Sequence, residues 1–181
     1  IFNVIDEKTT LLLNAGDPGL MRVSLTFKGN IITYGVNKTR DSYLKKECFS
    51  VDNAYCPSCH KKLIYSYYHY GHIGSYYCPN CDFKRGTPNF IAKNVDLKKG
   101  TFEINQNKIH LNKNFLFTVY ATTAAYALTK TIGVKEKNIL YALNKDITPS
   151  KRGKELKLDN RPVMMLESKN ENALSYYQSL K

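Results

Sequence analysis

The sequence predicts a mixed α/β fold that carries a small all-β zinc-ribbon insert, and three patterns lead to this prediction. Residues 9–13 form a short apolar run that ends in a cluster of turn residues, as a strand of a parallel sheet does at its carboxyl end. Residues 115–132 repeat apolar side chains at three- and four-residue steps, which predicts an amphipathic helix. Between them, 18 residues separate two C-x2-C motifs, a spacing typical of a zinc ribbon.

The long helix is predicted to turn one apolar face towards the core. Gly133 follows its last turn and is expected to end it, because glycine adopts the left-handed C-cap conformation without strain. The residues of the predicted core-facing stripe are Phe117, Tyr120, Ala121, Ala124 and Leu128.

Shorter signals predict the remaining elements. Runs of β-formers bounded by turn residues indicate strands, and a return to helical spacing indicates helices. The predicted strands are 31–34, 89–95, 101–104, 108–111, 155–158 and 162–166, and the predicted helices are 135–143 and 170–180.

Four cysteines, Cys56, Cys59, Cys78 and Cys81, are predicted to hold one structural Zn²⁺. A C-x2-C turn aims two thiolates at one metal, and a hairpin between the motifs returns the second turn to the first. Four sulfur ligands complete the tetrahedron, so no position remains for a catalytic water.

Disulfides are disfavoured because the five cysteines are an odd number and no signal segment precedes them. A redox role is disfavoured because the motif occurs twice at hairpin spacing. The fifth cysteine, Cys48, is expected to stay reduced.

The insert between and around these motifs is predicted to be a hairpin. Its arm over 62–70 is rich in β-formers, and residues 71–74 supply the turn. Its many tyrosines are expected to cover the faces of a ribbon that has little core, with base stacking as the alternative. The three histidines of the insert, His60, His69 and His72, are expected at the surface, because the thiolates already complete the metal site.

Composition and charge bound the class of protein. The 181 residues carry a net charge of +12, which attracts polyanions, but the lysines form no dense block and favour a solvated surface over a nucleic-acid interface. Apolar runs fall short of the roughly 20 residues of a membrane span. Reduced cysteines and a thiolate site favour the cytoplasm. Because the chain starts at Ile1 and not at Met, a fragment of a longer protein is expected.

The order of these elements resembles the MurT family, the Mur-ligase-like subunit of lipid II isoglutaminyl synthase. The best landmarks are the loop at 14–18, the ribbon from "YCPSCHKKL" to "YYCPNCDFKR", and the helix segment "VYATTAAYAL". The resemblance implies a Mur-ligase-like central domain with the ribbon inserted into it. The implied segments are 1–52 (central domain), 53–86 (ribbon), 87–149 (return to the central domain) and 150–181 (start of a C-terminal ligase domain).

The resemblance also implies an activity. Such a subunit uses ATP and Mg²⁺ to activate the α-carboxylate of D-glutamate in lipid II, and a GatD-like glutaminase supplies the ammonia that yields D-isoglutamine. The chemistry is positioning and charge neutralisation around the transferred phosphoryl group. The positions that match nucleotide-contacting residues of the family are Asn14, Asp17, Arg152 and Lys169.

The sequence departs from the family at positions that matter for nucleotide binding. No G-x-x-x-x-G-K-[ST] motif occurs in the 181 residues, and Thr118 and Ala121 stand where the family has two adenine-contacting asparagines. The residues alone are therefore expected to be inactive without an upstream phosphate loop. Two alternatives stay open: a zinc-stabilised, non-catalytic relative that binds a partner, and a basic zinc-ribbon protein that binds nucleic acid.

Overall fold

The computed structural model describes residues 5–45, 53–111, 114–145 and 154–165, and the mixed α/β fold is confirmed in them. The helices are α1 (Pro18–Met21), α2 (Leu116–Thr131) and α3 (Glu136–Asn144). The strands are β1 (Thr10–Asn14), β2 (Asn30–Val36), β3 (Ile64–Tyr70), β4 (Ile73–Tyr77), β5 (Phe90–Asp96), β6 (Thr101–Ile104), β7 (Asn107–His110), β8 (Lys154–Leu158) and β9 (Arg161–Met165).

A five-stranded sheet in the order β1-β2-β5-β6-β7 forms the centre. β1, β2 and β5 run parallel, and β6 and β7 continue the sheet antiparallel. Parallel neighbours need long connections. The first of these contains α1 and a short 3₁₀ turn at Arg22–Leu25, and the second contains the whole cysteine-bearing segment. β6 and β7 need only a two-residue turn, Asn105 and Gln106, both at positive φ (48° and 68°), the conformation that suits a tight hairpin.

The core lies between this sheet and the helices. α2 packs against β1, β2 and β5, and α3 packs against β7 and α2. The hairpin β3–β4 is a separate two-stranded sheet, yet it contributes Ile73 to the same apolar cluster as Val36, Phe102 and Val119. The cysteine-bearing segment is therefore attached to the central sheet and its helices through shared core packing.

The face of α2 that is buried differs from the predicted one. Phe117, Ala121 and Leu128 are exposed, so the predicted stripe is wrong for these three positions, although Tyr120 is buried. Both faces of the helix carry apolar residues, and the sheet receives the one with the larger side chains. The buried residues of α2 are Leu116, Val119, Tyr120, Thr123, Tyr126 and Ala127.

The end of α2 is as predicted. Gly133 has φ +86°, and its N–H donates to the Lys130 carbonyl at 3.1 Å while the Val134 N–H donates to the Thr129 carbonyl at 3.0 Å. These two bonds are the Schellman pattern that satisfies the last carbonyls of a helix.

The predicted elements near the end of the chain are described only in part. The predicted strands at 155–158 and 162–166 correspond to the hairpin β8–β9, and the predicted helix at 170–180 lies outside the described residues. The division into four segments stays a prediction. In the described ranges, no helix combines the length and the apolar character needed to cross a bilayer.

Candidate functional site

The four motif cysteines come together at one point. The Sγ atoms of Cys56 and Cys81 are 3.5 Å apart, and those of Cys59 and Cys78 are 3.4 Å apart. All four ligand atoms lie within 4.8 Å of one another. A tetrahedron with Zn–S bonds of 2.3 Å has edges of about 3.8 Å. The cluster therefore has the size that one zinc ion requires.

Two turns of the same geometry present these sulfurs. The N–H of Cys56 donates to the Lys61 carbonyl at 2.7 Å, and the N–H of Cys78 donates to the Phe83 carbonyl at 2.8 Å. Each C-x2-C loop is thus closed by a bond from its first cysteine to the residue five positions later. The two turns therefore share one backbone hydrogen-bond pattern.

The protonation of the cluster favours a bound cation. The Lys61 N–H, which points at its sulfur, lowers the pKa of Cys59 to about 6. The Phe83 N–H likewise lowers the pKa of Cys81, but burial and the neighbouring sulfurs outweigh it and raise that pKa to about 12. Four thiolates this close repel one another, so a divalent cation is needed to keep all of them ionised. The donor set thus fits zinc.

Little apolar packing surrounds the cluster. Its buried residues are two of the ligands themselves, Cys56 and Cys78, with Leu63, Tyr76 and Phe83. A core of this size is far below what an independent domain needs. The described structure therefore agrees with a stabilising role for the predicted metal.

The hairpin β3–β4 lies against the carboxyl end of the parallel strands. The Gly74 N–H donates to the Gly16 carbonyl at 3.0 Å, and the Tyr67 hydroxyl donates to the Val36 carbonyl at 3.4 Å. Ligands of open α/β sheets bind at this edge. The cysteine-bearing segment therefore forms one wall of the place where a nucleotide site is expected.

Asn14 and Asp17, two of the predicted nucleotide contacts, share the loop after β1. The buried Asn14 side chain accepts from the Gly16 N–H at 2.9 Å. Asp17 caps α1 by accepting from the N–H groups of Gly19 at 2.8 Å and Leu20 at 3.2 Å. Both side chains therefore help to build the loop itself.

Asp17 also contacts the hairpin, since one of its carboxylate oxygens lies 3.3 Å from Nε2 of His72. Burial raises the pKa of Asp17, but the hydrogen bond and charge of His72, together with the backbone N–H groups of Leu20 and Gly19, outweigh it and lower the pKa. The carboxylate is thus held ionised at the carboxyl edge of the sheet.

The structure does not describe the other two predicted contacts. Arg152 and Lys169 lie outside the described residues, so their relation to the loop stays a prediction. Thr118, half-buried, and Ala121, exposed, lie in the first two turns of α2. Neither side chain offers the paired donor and acceptor of an asparagine amide.

A buried polar network at the same edge was missed by the sequence reasoning. His69, expected at the surface, is only 3% exposed, and its Nδ1 lies 2.6 Å from the Tyr120 hydroxyl on α2. Arg85 donates to the Tyr67 hydroxyl and, at 3.0 Å, to the Val36 carbonyl. The available signal was the two-residue step from Tyr67 to His69, because alternate residues of a strand share a face.

Of the other histidines, His60 is exposed as predicted and His72 is half-buried.

His69 is expected to make the protein acid-labile. Burial, and secondarily the nearby Arg85 charge, lower its pKa to about 4, below the value of about 6.5 in an unfolded chain. The unfolded state therefore binds the proton first, and stability falls as the pH drops from about 6.5 towards 4, by up to about 3 kcal/mol. His69→Gln, which cannot gain this charge, should lose less stability between pH 7 and pH 5 in urea unfolding. His60→Gln is the control, and equal pH dependence of the two variants would contradict the assignment.

Comparison with known sequences agrees with the predicted resemblance. No protein-family model matches the chain. The MurT subunits of lipid II isoglutaminyl synthase (glutamine-hydrolysing) from Staphylococcus aureus strains COL and N315 are each 28% identical to it over 161 residues. The match covers 88% of this chain and 36% of each relative, so the chain spans about a third of their length. The resemblance to the MurT family is thus confirmed.

The fold is similar to that of a solved ligase. A pseudomurein peptide ligase type C from Methanothermus fervidus superposes with a TM-score of 0.73 and 27% sequence identity. The superposition covers 95% of this chain and 34% of that one. The similarity therefore extends over nearly the whole of this chain.

Proposed function

We propose that the chain is part of an ATP-dependent amide ligase of cell-wall synthesis that works with a glutaminase partner. The observation that carries the proposal is the match to MurT subunits over 88% of the chain, joined to the fold similarity with a peptide ligase. The substrate that follows is lipid II, with the α-carboxylate of its D-glutamate as the acceptor group. The product is the corresponding D-isoglutamine.

The reaction has two steps. The γ-phosphoryl group of ATP passes to the carboxylate, which gives an acyl phosphate and ADP. Ammonia from the glutaminase then adds to the acyl carbon, phosphate leaves, and the nitrogen loses a proton to give the amide. Mg²⁺ and cationic side chains neutralise the charge that moves in the first step.

Four residues of this chain are assigned to the nucleotide. Asn14 and Asp17 contribute through the loop at the carboxyl edge of the sheet, where open α/β sheets bind ligands. Arg152 and Lys169 would contact phosphate or ribose groups. Since the 181 residues contain no phosphate-loop motif, we assign the phosphate cradle to residues outside them and expect these residues alone to be inactive.

The four cysteines are assigned a structural Zn²⁺. The sulfur spacing fits a tetrahedron, and four thiolates leave no open position for catalysis. The metal would hold the hairpin β3–β4 in place beside the loop at 14–17, and so serve the nucleotide site indirectly.

The test is an amidation assay with the full open reading frame that encodes these residues. The purified protein, a glutaminase partner, glutamine, ATP, Mg²⁺ and lipid II are combined, and the product is followed by mass spectrometry for conversion of the acid to the amide. The expected result is amidation that requires ATP and both proteins. Absence of any ATP-dependent product with an active glutaminase would overturn the proposal.

The second candidate is a zinc-stabilised binding module without ligase chemistry. It is favoured by Thr118 and Ala121, because loss of each paired amide contact to adenine costs about 1–3 kcal/mol. Isothermal titration of ATP into the product of the full open reading frame distinguishes the two, since the binding module predicts no binding and the ligase predicts a saturable site. The nucleic-acid alternative predicts strongly salt-dependent binding to DNA or RNA.

A further inference from the structure

The cysteine-bearing segment has two sides that differ in character. Along its extended stretches, buried and exposed residues alternate: Leu63 is buried between two exposed neighbours, Lys62 and Ile64, and the exposed Tyr77 lies between the buried Tyr76 and Cys78. The buried residues form the small core around the sulfurs. The exposed ones must therefore form the opposite side, because successive side chains of an extended chain point to opposite faces.

Backbone pairing joins these exposed residues into one row. Tyr55 bridges Lys62, Ile64 pairs with Tyr77, and Tyr77 bridges Lys84. Paired residues lie on the same face of a sheet, so the five residues Tyr55, Lys62, Ile64, Tyr77 and Lys84 form a continuous surface, called here the outer face. Its three apolar members are well exposed, at 59% for Tyr55, 43% for Ile64 and 42% for Tyr77.

The charge around the outer face is positive. Residues 53–86 contain four cationic side chains and one carboxylate, Asp82. Arg85 is turned inward to Tyr67 and Val36, whereas Lys62 and Lys84 are exposed on the outer face. A zinc ion with four thiolates would carry a negative charge, but Cys56 and Cys78 are buried and Cys59 and Cys81 are half-buried, so the exposed charges nearest the apolar side chains are those of the lysines. The outer face thus offers lysine ammonium groups next to exposed apolar rings.

We propose that the outer face docks on the surface of a bilayer that contains anionic lipids. Tyrosine rings and lysine side chains both have an apolar body and a polar end, and they suit the boundary between headgroups and acyl chains. Ile64, between the two tyrosines, would enter the acyl region, while the lysines contact lipid phosphates. The surface is a row on a sheet and not a groove, which suits a flat partner.

A bilayer fits this face better than a nucleic acid does. Single-stranded nucleic acids bind through successive aromatic rings on which bases stack, and the branched aliphatic Ile64 interrupts such a series between Tyr55 and Tyr77. The inference rests on the proposed function in one respect: lipid II is itself a lipid, so a ligase that docks on the bilayer would meet its substrate there.

Vesicle sedimentation tests the proposal. The zinc-loaded chain is mixed with vesicles of phosphatidylcholine alone or with phosphatidylglycerol added, without ATP, glutamine or lipid II. We expect binding that needs phosphatidylglycerol and weakens with salt. Since each basic residue near an anionic surface contributes roughly a fivefold change in partitioning, the double variant Lys62→Glu/Lys84→Glu should bind at least about tenfold more weakly. Ile64→Ser should also weaken binding.

Matched variants elsewhere control for net charge and apolar area. Lys28→Glu/Lys137→Glu makes the same change in charge at two exposed lysines far from the insert in sequence, and Leu25→Ser removes a similarly exposed aliphatic side chain. Zinc content and circular dichroism establish that each variant is folded. If Ile64→Ser lost its zinc, the lysine variant, which leaves the small core intact, would still decide the question.

Three results would overturn the inference: no binding to vesicles that contain phosphatidylglycerol, equal weakening by the control variants, or binding of single-stranded DNA that the outer-face variants abolish while vesicles are not bound. The proposed function has a separate readout. Amidation of a water-soluble stem-peptide substrate without a lipid tail does not need docking. Retained amidation with no vesicle binding would therefore reject only the docking inference, and vesicle binding without amidation would reject only the ligase.

Discussion

Replacing Cys56 by serine is expected to release the metal and to unfold residues 53–86. A structural zinc site of this kind contributes roughly 10–16 kcal/mol to folding at neutral pH, and the three buried residues that pack around the cysteines, Leu63, Tyr76 and Phe83, cannot compensate for its loss. Zinc content measured by mass spectrometry should fall from one ion per chain to a small fraction. Hydrogen exchange should show loss of protection throughout the hairpin β3–β4.

Cys48→Ser is the matched control for this experiment, because the sequence pattern leaves Cys48 outside the ligand set. It should retain one zinc ion and normal exchange. If Cys56→Ser had lost its zinc and the amides of the hairpin β3–β4 were still protected from exchange, the structural role assigned to the metal would be wrong. In Cys56→Ser, protection should also fall at the amides of Gly16 and Asp17, which donate to Asn14, because the Gly74 N–H and the His72 side chain would no longer hold that loop.

Gly74→Ala is expected to destabilise the protein by about 3 kcal/mol, because it forces a methyl group into a closed space. An added Cβ would overlap the Tyr67 carbonyl oxygen and lie 3.0 Å from the Tyr68 Cα. Both are backbone atoms of the paired strand and cannot rotate away. The free energy of unfolding, measured in urea, tests the prediction.

Gly86→Ala serves as the control for Gly74→Ala. A Cβ at Gly86 meets no atom within 4 Å, so its effect should stay within about 0.5 kcal/mol. Equal stability of the two variants would mean that β3 and β4 can separate at Gly74 without cost, and the close packing of the hairpin would have to be reconsidered.

The clustering of the four cysteines was predictable from the sequence because its geometry is local. A C-x2-C turn brings two sulfurs together by itself, and the spacing between the motifs supplies the hairpin. The strands β1 and β2 were predictable for a similar reason, because a short apolar run bounded by glycine or asparagine is typical of a β-strand.

The buried face of α2 was not predictable in the same way. Phe117 and Leu128 follow helical spacing as well as Val119 and Tyr126 do, so periodicity alone could not choose between two apolar faces. A helix that is apolar on both sides usually packs on both sides. The choice made in this structure depends on how the sheet receives the helix, which is tertiary information.

His69 shows a second limit of sequence reasoning. In the sequence, His69 lies among tyrosines and close to four cysteines that already complete a metal site. A surface position was therefore predicted for it. Its burial depends on Tyr120, which lies 51 residues further along the chain. The two-residue step from Tyr67 to His69 indicates that they share a face of the strand, but it does not show that Tyr120 covers that face.

The packing of Ile73 has a consequence for how this domain can be divided. An inserted domain that contacts the rest of the protein only through its two linkers can be deleted and the chain ends rejoined. Here the segment supplies a side chain to the host's own apolar cluster and the N–H that satisfies the Gly16 carbonyl. Excision would leave a cavity and an unsatisfied carbonyl in what remained. The cysteine-bearing segment is thus a structural component of the larger domain and not a detachable module, and shortened versions of the protein should keep it whole.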